Sequence, residues 1–191
     1  MAGGFEEGTE SRSNNSSTDL IQLRPTHEEG DTRLILHAMN CKLKTVVVSS
    51  KDTDVLVLLL AHFQHMQCEQ LWMMSETVQK QRHIPIHEVC KTLPQNSEKS
   101  LLAFHALTGC DTTSHFAQHS KKLAWKVFKM HHTLLKDLGI GELDQAKIQL
   151  SEAFVCKMYN LPSTTSLDTA RHMLFSKVSK SEAMSPTSDA F

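Results

Sequence analysis

Thr45 to Leu60 reads TVVVSSKDTDVLVLLL, and the parse of this stretch decides the fold. Thr45-Val46-Val47-Val48 is a short β-branched run, the composition of a strand covered on both faces in a parallel sheet. Ser49-Ser50-Lys51 breaks the run, Asp52-Thr53-Asp54 follows, and Val55 to Ala61 is apolar throughout and too rich in Leu for a turn. The stretch predicts a strand, a tight turn and a helix, with Asp52 at the helix N-terminus as its cap. Ligands of parallel α/β sheets bind outside the carboxyl ends of the strands. Two carboxylates one residue apart at such an end therefore have two explanations: they cap the helix, or they hold a divalent metal.

The chain around this stretch has 191 residues, enough for one domain and a modest extra lobe. Hydrophobic residues make up 40% and charged residues 21%, a globular balance. With a net charge of −1 there is no strongly basic global field, so contact with nucleic acid would have to come from a local patch. Cys41, Cys68, Cys90, Cys110 and Cys156 show no paired spacing, and MAGGFEEGTE at the N-terminus has no apolar signal core. The longest apolar run, Val55 to Ala61, is too short to cross a bilayer. An intracellular protein in a reducing compartment, nuclear or cytoplasmic and without a membrane partner, is the expectation.

Residues 1–18 are rich in Gly, Ser, Asn and Glu, and disorder is expected there. Asp19 to Leu23 is a brief strand or a staple onto the next helix, which runs from Thr26 to Asn40. Thr26 and Glu29 have capping-box spacing, and Leu34, Ile35, Ala38 and Met39 make an apolar stripe. After the central strand and helix come a strand at Gln70 to Met74, a hairpin arm at His83 to Ile86, and a short helix to Leu93. A helix at Glu98 to Leu107 ends on Gly109. His119 to Met130 is amphipathic, with Leu123, Trp125, Val127 and Phe128 inward and Lys121, Lys122, Lys126 and Lys129 outward. Helices at Glu142 to Met158 and Leu167 to Val178 follow a Gly139-Ile140-Gly141 turn, and 179–191 is expected to be a loose tail.

Five acids fall at the ends of these elements: Glu29 and Asp31 in a first helical turn, Asp52 and Asp54 at the strand end, and Asp111 in the Gly109-Cys110-Asp111 turn. Each alone fits a helix dipole. Gathered in one pocket they would repel one another unless a cation stood between them, and oxygen-only sets suit Mg²⁺. Glu29-Gly30-Asp31, Ser50-Lys51-Asp52-Thr53-Asp54-Val55-Leu56 and Leu107-Thr108-Gly109-Cys110-Asp111-Thr112-Thr113 resemble, in order, three motifs of the flap-endonuclease-type nucleases of the PIN-like superfamily. The resemblance covers roughly Thr26 to Met130.

It implies an α/β fold: a partial PIN-like (Rossmann-like) parallel sheet flanked by helices in a core at 19–130, with a helix–hairpin–helix-like segment at 112–130; the C-terminal helical extension expected at 131–178 lies beyond the resemblance and carries no motif of its own. It implies that Glu29, Asp31, Asp52, Asp54 and Asp111 bind one or two Mg²⁺ or Mn²⁺ ions, with Asp52, Asp54 and Asp111 catalytic in phosphodiester hydrolysis. It implies nucleic acid as partner, DNA in preference to RNA, gripped through His119, Lys121, Lys122, Lys126 and Lys129. No Asp or Glu occurs from His119 to Lys136, so that segment is locally basic.

Two departures qualify the resemblance. The opening third of the family, with its leading strand and further aspartates, has no counterpart in the 25 residues before Thr26. Where the hairpin carries Gly-x-Gly, this chain has Ala117-Gln118-His119-Ser120, and Thr112 replaces an aromatic. The expectation is a truncated or divergent relative, with lost activity as the consequence and a non-catalytic remnant that binds nucleic acid or protein as the alternative. Rival sites are thinner. His62-x-x-His65-x-x-Cys68 invites zinc but lacks a closely spaced fourth ligand, and Cys110 has no His placed by sequence to activate it.

Overall fold

The first elements in chain order are helix α1 (Gly30–Met39), strand β1 (Thr45–Ser49), helix α2 (Thr53–His62), strands β2 (Gln70–Thr77) and β3 (Lys80–Pro85), and helix α3 (Ile86–Thr92). The computed structural model describes residues 21, 23–24, 30–77, 80–116, 119–176 and 183–191. The expected disorder at 1–18, the Thr26/Glu29 capping box, the hairpin positions Ala117 and Gln118, and residues 177–182 lie outside the described residues. The chain divides into two compact units, Met1–Thr92 and Leu93–Phe191.

In the first unit β1 pairs with β2 in parallel, with Val46 opposite Leu71 and Val48 opposite Met73. β2 then pairs with β3 in antiparallel fashion, with Met73 opposite Ile84, and the sheet order is β1-β2-β3. The expected parallel sheet is thus a small mixed one. Only two residues separate β2 from β3, and so tight a connection permits an antiparallel return alone. The parallel pair β1–β2 takes its crossover through α2.

Val48, Leu71 and Met73 line the inner face of the sheet, with Leu71 fully buried. α1 packs on α2 through its buried residues Ile35 and Ala38, and α3 packs on β2 with Ile86 fully buried. Val55 and Leu59 of α2 are also fully buried, and each such side chain stabilises the fold by roughly 1.5–3 kcal/mol. Two expectations need correction here. β1 is not covered on both faces, because Val47 is 54% exposed and Thr45 and Ser49 are exposed beside it. β1 ends the sheet among the described residues, so its side chains alternate between core and solvent. Leu34, expected in the apolar stripe of α1, is 40% exposed.

The second unit is helical: α4 (Glu98–Leu107), α5 (Lys121–His131) with a 3₁₀ turn at His132–Leu135, α6 (Gln145–Met158) and α7 (Leu167–Phe175). Phe104 of α4 is its aromatic hub, with ring centroids 4.6 Å from Phe128, 5.6 Å from Trp125 and 6.4 Å from Phe154. Phe128 and Phe154 are fully buried. Within 112–130 the described residues form the single helix α5, preceded by a turn. Glu152 is a buried acid on α6, and its Oε2 accepts from Leu167 N at 3.1 Å. A carboxylate there satisfies an orphan donor in the first turn of α7 and meets the positive end of its dipole.

The closing residues differ from the expected loose tail. Ser185 is fully buried; its Oγ donates to Leu167 O at 3.2 Å and its carbonyl accepts from Arg171 at 2.6 Å. Ser188 N donates to Asp168 at 3.0 Å. A polar segment is anchored here through its backbone, for which hydropathy gives no sign.

Candidate metal centre

Asp52 and Asp54 stand at the carboxyl end of β1, where Ser50 N still donates to Met74 O at 3.1 Å and extends the parallel ladder. The chain then turns. Asp52 N donates to Ser50 Oγ at 3.1 Å, and Asp52 Oδ1 accepts from Asp54 N at 2.8 Å, making Asp52 the N-cap of α2. Thr53 and Asp54 open the helix, with Asp54 in its first turn. Both aspartates are half-buried, and each offers a carboxylate oxygen within 4.8 Å of the other. The capping explanation therefore holds for Asp52 and uses one of its oxygens. The second oxygen, together with Asp54, leaves a paired carboxylate end whose mutual repulsion a cation would relieve.

Asp31 lies half-buried in the first turn of α1 and does not join Asp52 and Asp54 in a group of three ligand atoms within 4.8 Å. Glu29 lies outside the described residues.

Asp111 belongs to the second unit, exposed, in the turn after α4. That turn is held at several points. Thr108 caps the end of α4, its Oγ1 donating to Phe104 O at 2.7 Å. Gly109 follows with φ +100°, and a Cβ there would lie 2.9 Å from His115 Cβ, so the position demands glycine for conformation and for space. Cys110 N donates to Thr113 O at 3.3 Å and Thr113 N returns to Cys110 O at the same distance. Thr113 Oγ1 accepts from Cys110 N at 3.1 Å and donates to Ala106 O at 2.6 Å, which ties the turn back to α4.

The expected nucleic-acid contacts sort into two groups. Lys122, Lys126 and Lys129 are exposed on α5, three and four residues apart, and form one basic stripe. Lys121 is half-buried instead, its Nζ donating to Gly109 O at 2.6 Å and lying 2.7 Å from His105 Nδ1. His119 packs its ring 4.1 Å from that of Tyr159, and burial lowers its pKa from the usual imidazole range. Both residues serve the interior of the unit rather than the stripe. His105 and Thr113 are the residues that sequence reading missed. Thr113 sat in a visible cap-and-turn cluster, whereas an isolated His on an apolar helix gives no signal of its partner.

The rival sites fare as follows. His62, His65 and Cys68 do not bring three ligand atoms within 4.8 Å of one another. Cys68 is buried, which raises its thiol pKa, and burial lowers His62. The hydroxyls of Thr112 and Thr113, 3.3 and 3.2 Å from Cys110 Sγ, lower that thiol's pKa. No helix among the described residues is long and apolar enough to cross a membrane. No protein-family model matches this chain, and no curated protein and no solved structure matches it either.

Proposed function

We propose that this chain is a divergent metal-dependent nuclease-like protein in which Asp52 and Asp54 hold a divalent cation, Mg²⁺ or Mn²⁺, for hydrolysis of phosphodiesters in DNA or RNA. One observation carries the reading. Two half-buried carboxylates share the carboxyl end of the strand that forms the parallel pair, at the start of a helix. The donor set fits a hard cation: it is all oxygen, with one Asp52 oxygen committed to the cap. A bound cation would supply Lewis-acid polarisation of the phosphoryl oxygen and a more acidic water. Asp52 and Asp54 would fix its position, and water would complete the oxygen set.

The test is cleavage of flap, single-stranded and duplex substrates with Mg²⁺ or Mn²⁺. The reading expects metal-dependent cutting that Asp52→Asn or Asp54→Asn abolishes. No cleavage of any substrate with either metal counts against hydrolysis.

A second reading, non-catalytic binding of nucleic acid, is favoured by the exposed stripe of Lys122, Lys126 and Lys129. Three phosphate contacts correspond to a log–log salt slope of about −2.7 on duplex DNA. Triple alanine substitution of these lysines should remove that slope. A salt-independent affinity contradicts this reading and points to a protein partner.

A further inference from the structure

We propose that the free edge of β1 is a self-association surface, taken in antiparallel fashion by β1 of a second copy of this chain. Backbone geometry fixes which groups are available there. Gln70 N donates to Lys44 O at 2.9 Å and Ser50 N donates to Met74 O at 3.1 Å, so the even-numbered residues of β1 turn their backbone polar groups to β2. The N–H and C=O groups of Thr45, Val47 and Ser49 therefore point to the opposite side, where β1 ends the sheet among the described residues. The side chains of these three residues share the exposed outer face of the strand. One added strand would satisfy all of these backbone groups at once.

The two edges of the sheet differ in their defences. β3 carries Lys80, Arg82, His83 and Pro85, the charges and proline that keep an edge from pairing. β1 reads TVVVS and has neither. Val47 at its centre is 54% exposed, and Leu43 just before it is 65% exposed.

A second copy fits this edge because the edge is self-complementary. Hydrogen-bonded antiparallel pairs must join odd residues to odd ones, and centring on Val47 sets Thr45 opposite Ser49 and Val47 opposite its own copy. The even residues then meet with Lys42 facing Asp52 of the second copy, and Asp52 is still extended at φ −78°, ψ 132°. Lys44 is held by Glu69 at 3.1 Å, so the pair that matters is Lys42 with Asp52. Cations precede the strand and acids follow it, so reversal brings opposite charges together, whereas an in-register parallel partner would set like charges side by side. Leu43 falls opposite Lys51, whose methylenes cover it. Trp72 stands beside Val47 in the register of β2, so the two-fold axis builds an apolar row of Trp72 and Val47 from each copy. The contact is isologous and closes as a dimer.

The experiment is analytical ultracentrifugation of the full chain in EDTA, which removes any metal from the comparison. Wild type is expected to sediment as a concentration-dependent monomer–dimer equilibrium with no larger species. Val47→Lys sets two ammonium groups across the two-fold axis and should weaken the dimer about 10-fold or more, while the monomer unfolds as wild type because the position is exposed. Lys42→Glu, facing Asp52 of the second copy, should weaken it as well. Val47→Cys tests the register, because Cα atoms of a hydrogen-bonded pair lie about 5.5 Å apart, within disulfide reach. Mild oxidation should join two copies of Val47→Cys, with peptide mapping placing the bond at position 47 of both. Thr45→Cys should not join to itself, since four residues, roughly 13 Å along the strand, separate its two copies.

A wild-type chain that stays monomeric up to about 1 mM overturns the proposal. A dimer whose affinity is unchanged in Val47→Lys also overturns it, since the contact then lies elsewhere. Val47→Cys that cross-links no faster than Thr45→Cys overturns the antiparallel register and the proposal with it. These results stand apart from the cation at Asp52 and Asp54, which Mn²⁺ uptake reads separately.

Discussion

Replacing Asp52 with alanine and with asparagine separates its capping role, which the structure places on Oδ1, from the metal-binding role proposed above. Asp52 Oδ1 accepts from Asp54 N at 2.8 Å as the cap of α2, and alanine removes that bond. Loss of an Asp cap costs about 1 kcal/mol, within a range of roughly 0.5–2. For a chain of this size that lowers Tm by about 2–4 °C. Asparagine caps as well as aspartate. Its lost charge–dipole attraction, roughly 0.3–1 kcal/mol, is offset by relief of repulsion with Asp54. Asp52→Asn in EDTA should therefore melt within about 2 °C of wild type.

Adding Mg²⁺ reads the other role. A ligand at about 100 times its dissociation constant stabilises the fold by roughly 2.7 kcal/mol, and wild type should gain accordingly. Asp52→Asn should gain almost nothing. Thermal melts in EDTA and in excess Mg²⁺ measure both effects in one assay. The reasoning is refuted if Asp52→Asn keeps the full Mg²⁺ gain, or if it melts as low as Asp52→Ala in EDTA.

Gly109→Ala should destabilise the fold by about 2–4 kcal/mol, summing strain at φ +100° with the 2.9 Å approach to His115; urea unfolding measures it, and a loss under about 1 kcal/mol would contradict the turn geometry. Acidification should also destabilise the chain. Burial depresses His37, His62, His119 and His131 below their ordinary 6.5, so the unfolded chain takes up protons first as pH falls. That stability is fully present above about pH 6.5 and is lost below it, and a urea midpoint that rises from pH 7.5 to 5.5 would refute the sign. Among the thiols, Cys110 should react first with iodoacetamide by peptide mapping, and Cys156, pushed up to about 11 chiefly by burial, should react last; early labelling of Cys156 would contradict its burial.

What the sequence disclosed follows the range of the forces involved. A β-branched run, a breaker and a cap are local signals, and β1, the turn and α2 lie where Thr45 to Ala61 placed them, with Asp52 as the cap. Gly109 was legible for the same reason, since a left-handed turn after a helix needs it. Val47 was not legible: whether a valine in a strand meets core or solvent depends on what lies beside the strand. Lys121 looked like its neighbour Lys122 on a helical wheel, and only a contact 16 residues back, to His105, turns it inward. His119 likewise is decided by Tyr159, forty residues on. Ser185 is buried with its hydroxyl and its carbonyl hydrogen-bonded to α7, which no hydropathy pattern encodes.

In the proposed site Asp52 and Asp54 hold one divalent cation at the carboxyl end of β1. Equilibrium binding of Mn²⁺, read as loss of the free-ion electron paramagnetic resonance signal, tests this for wild type and for Asp54→Asn. Wild type should take up one or two Mn²⁺ ions in competition with Mg²⁺. Asp54→Asn should weaken the tighter ion by more than about 10-fold without loss of the fold. Mn²⁺ uptake in Asp54→Asn equal to wild type, or none in wild type, would contradict it.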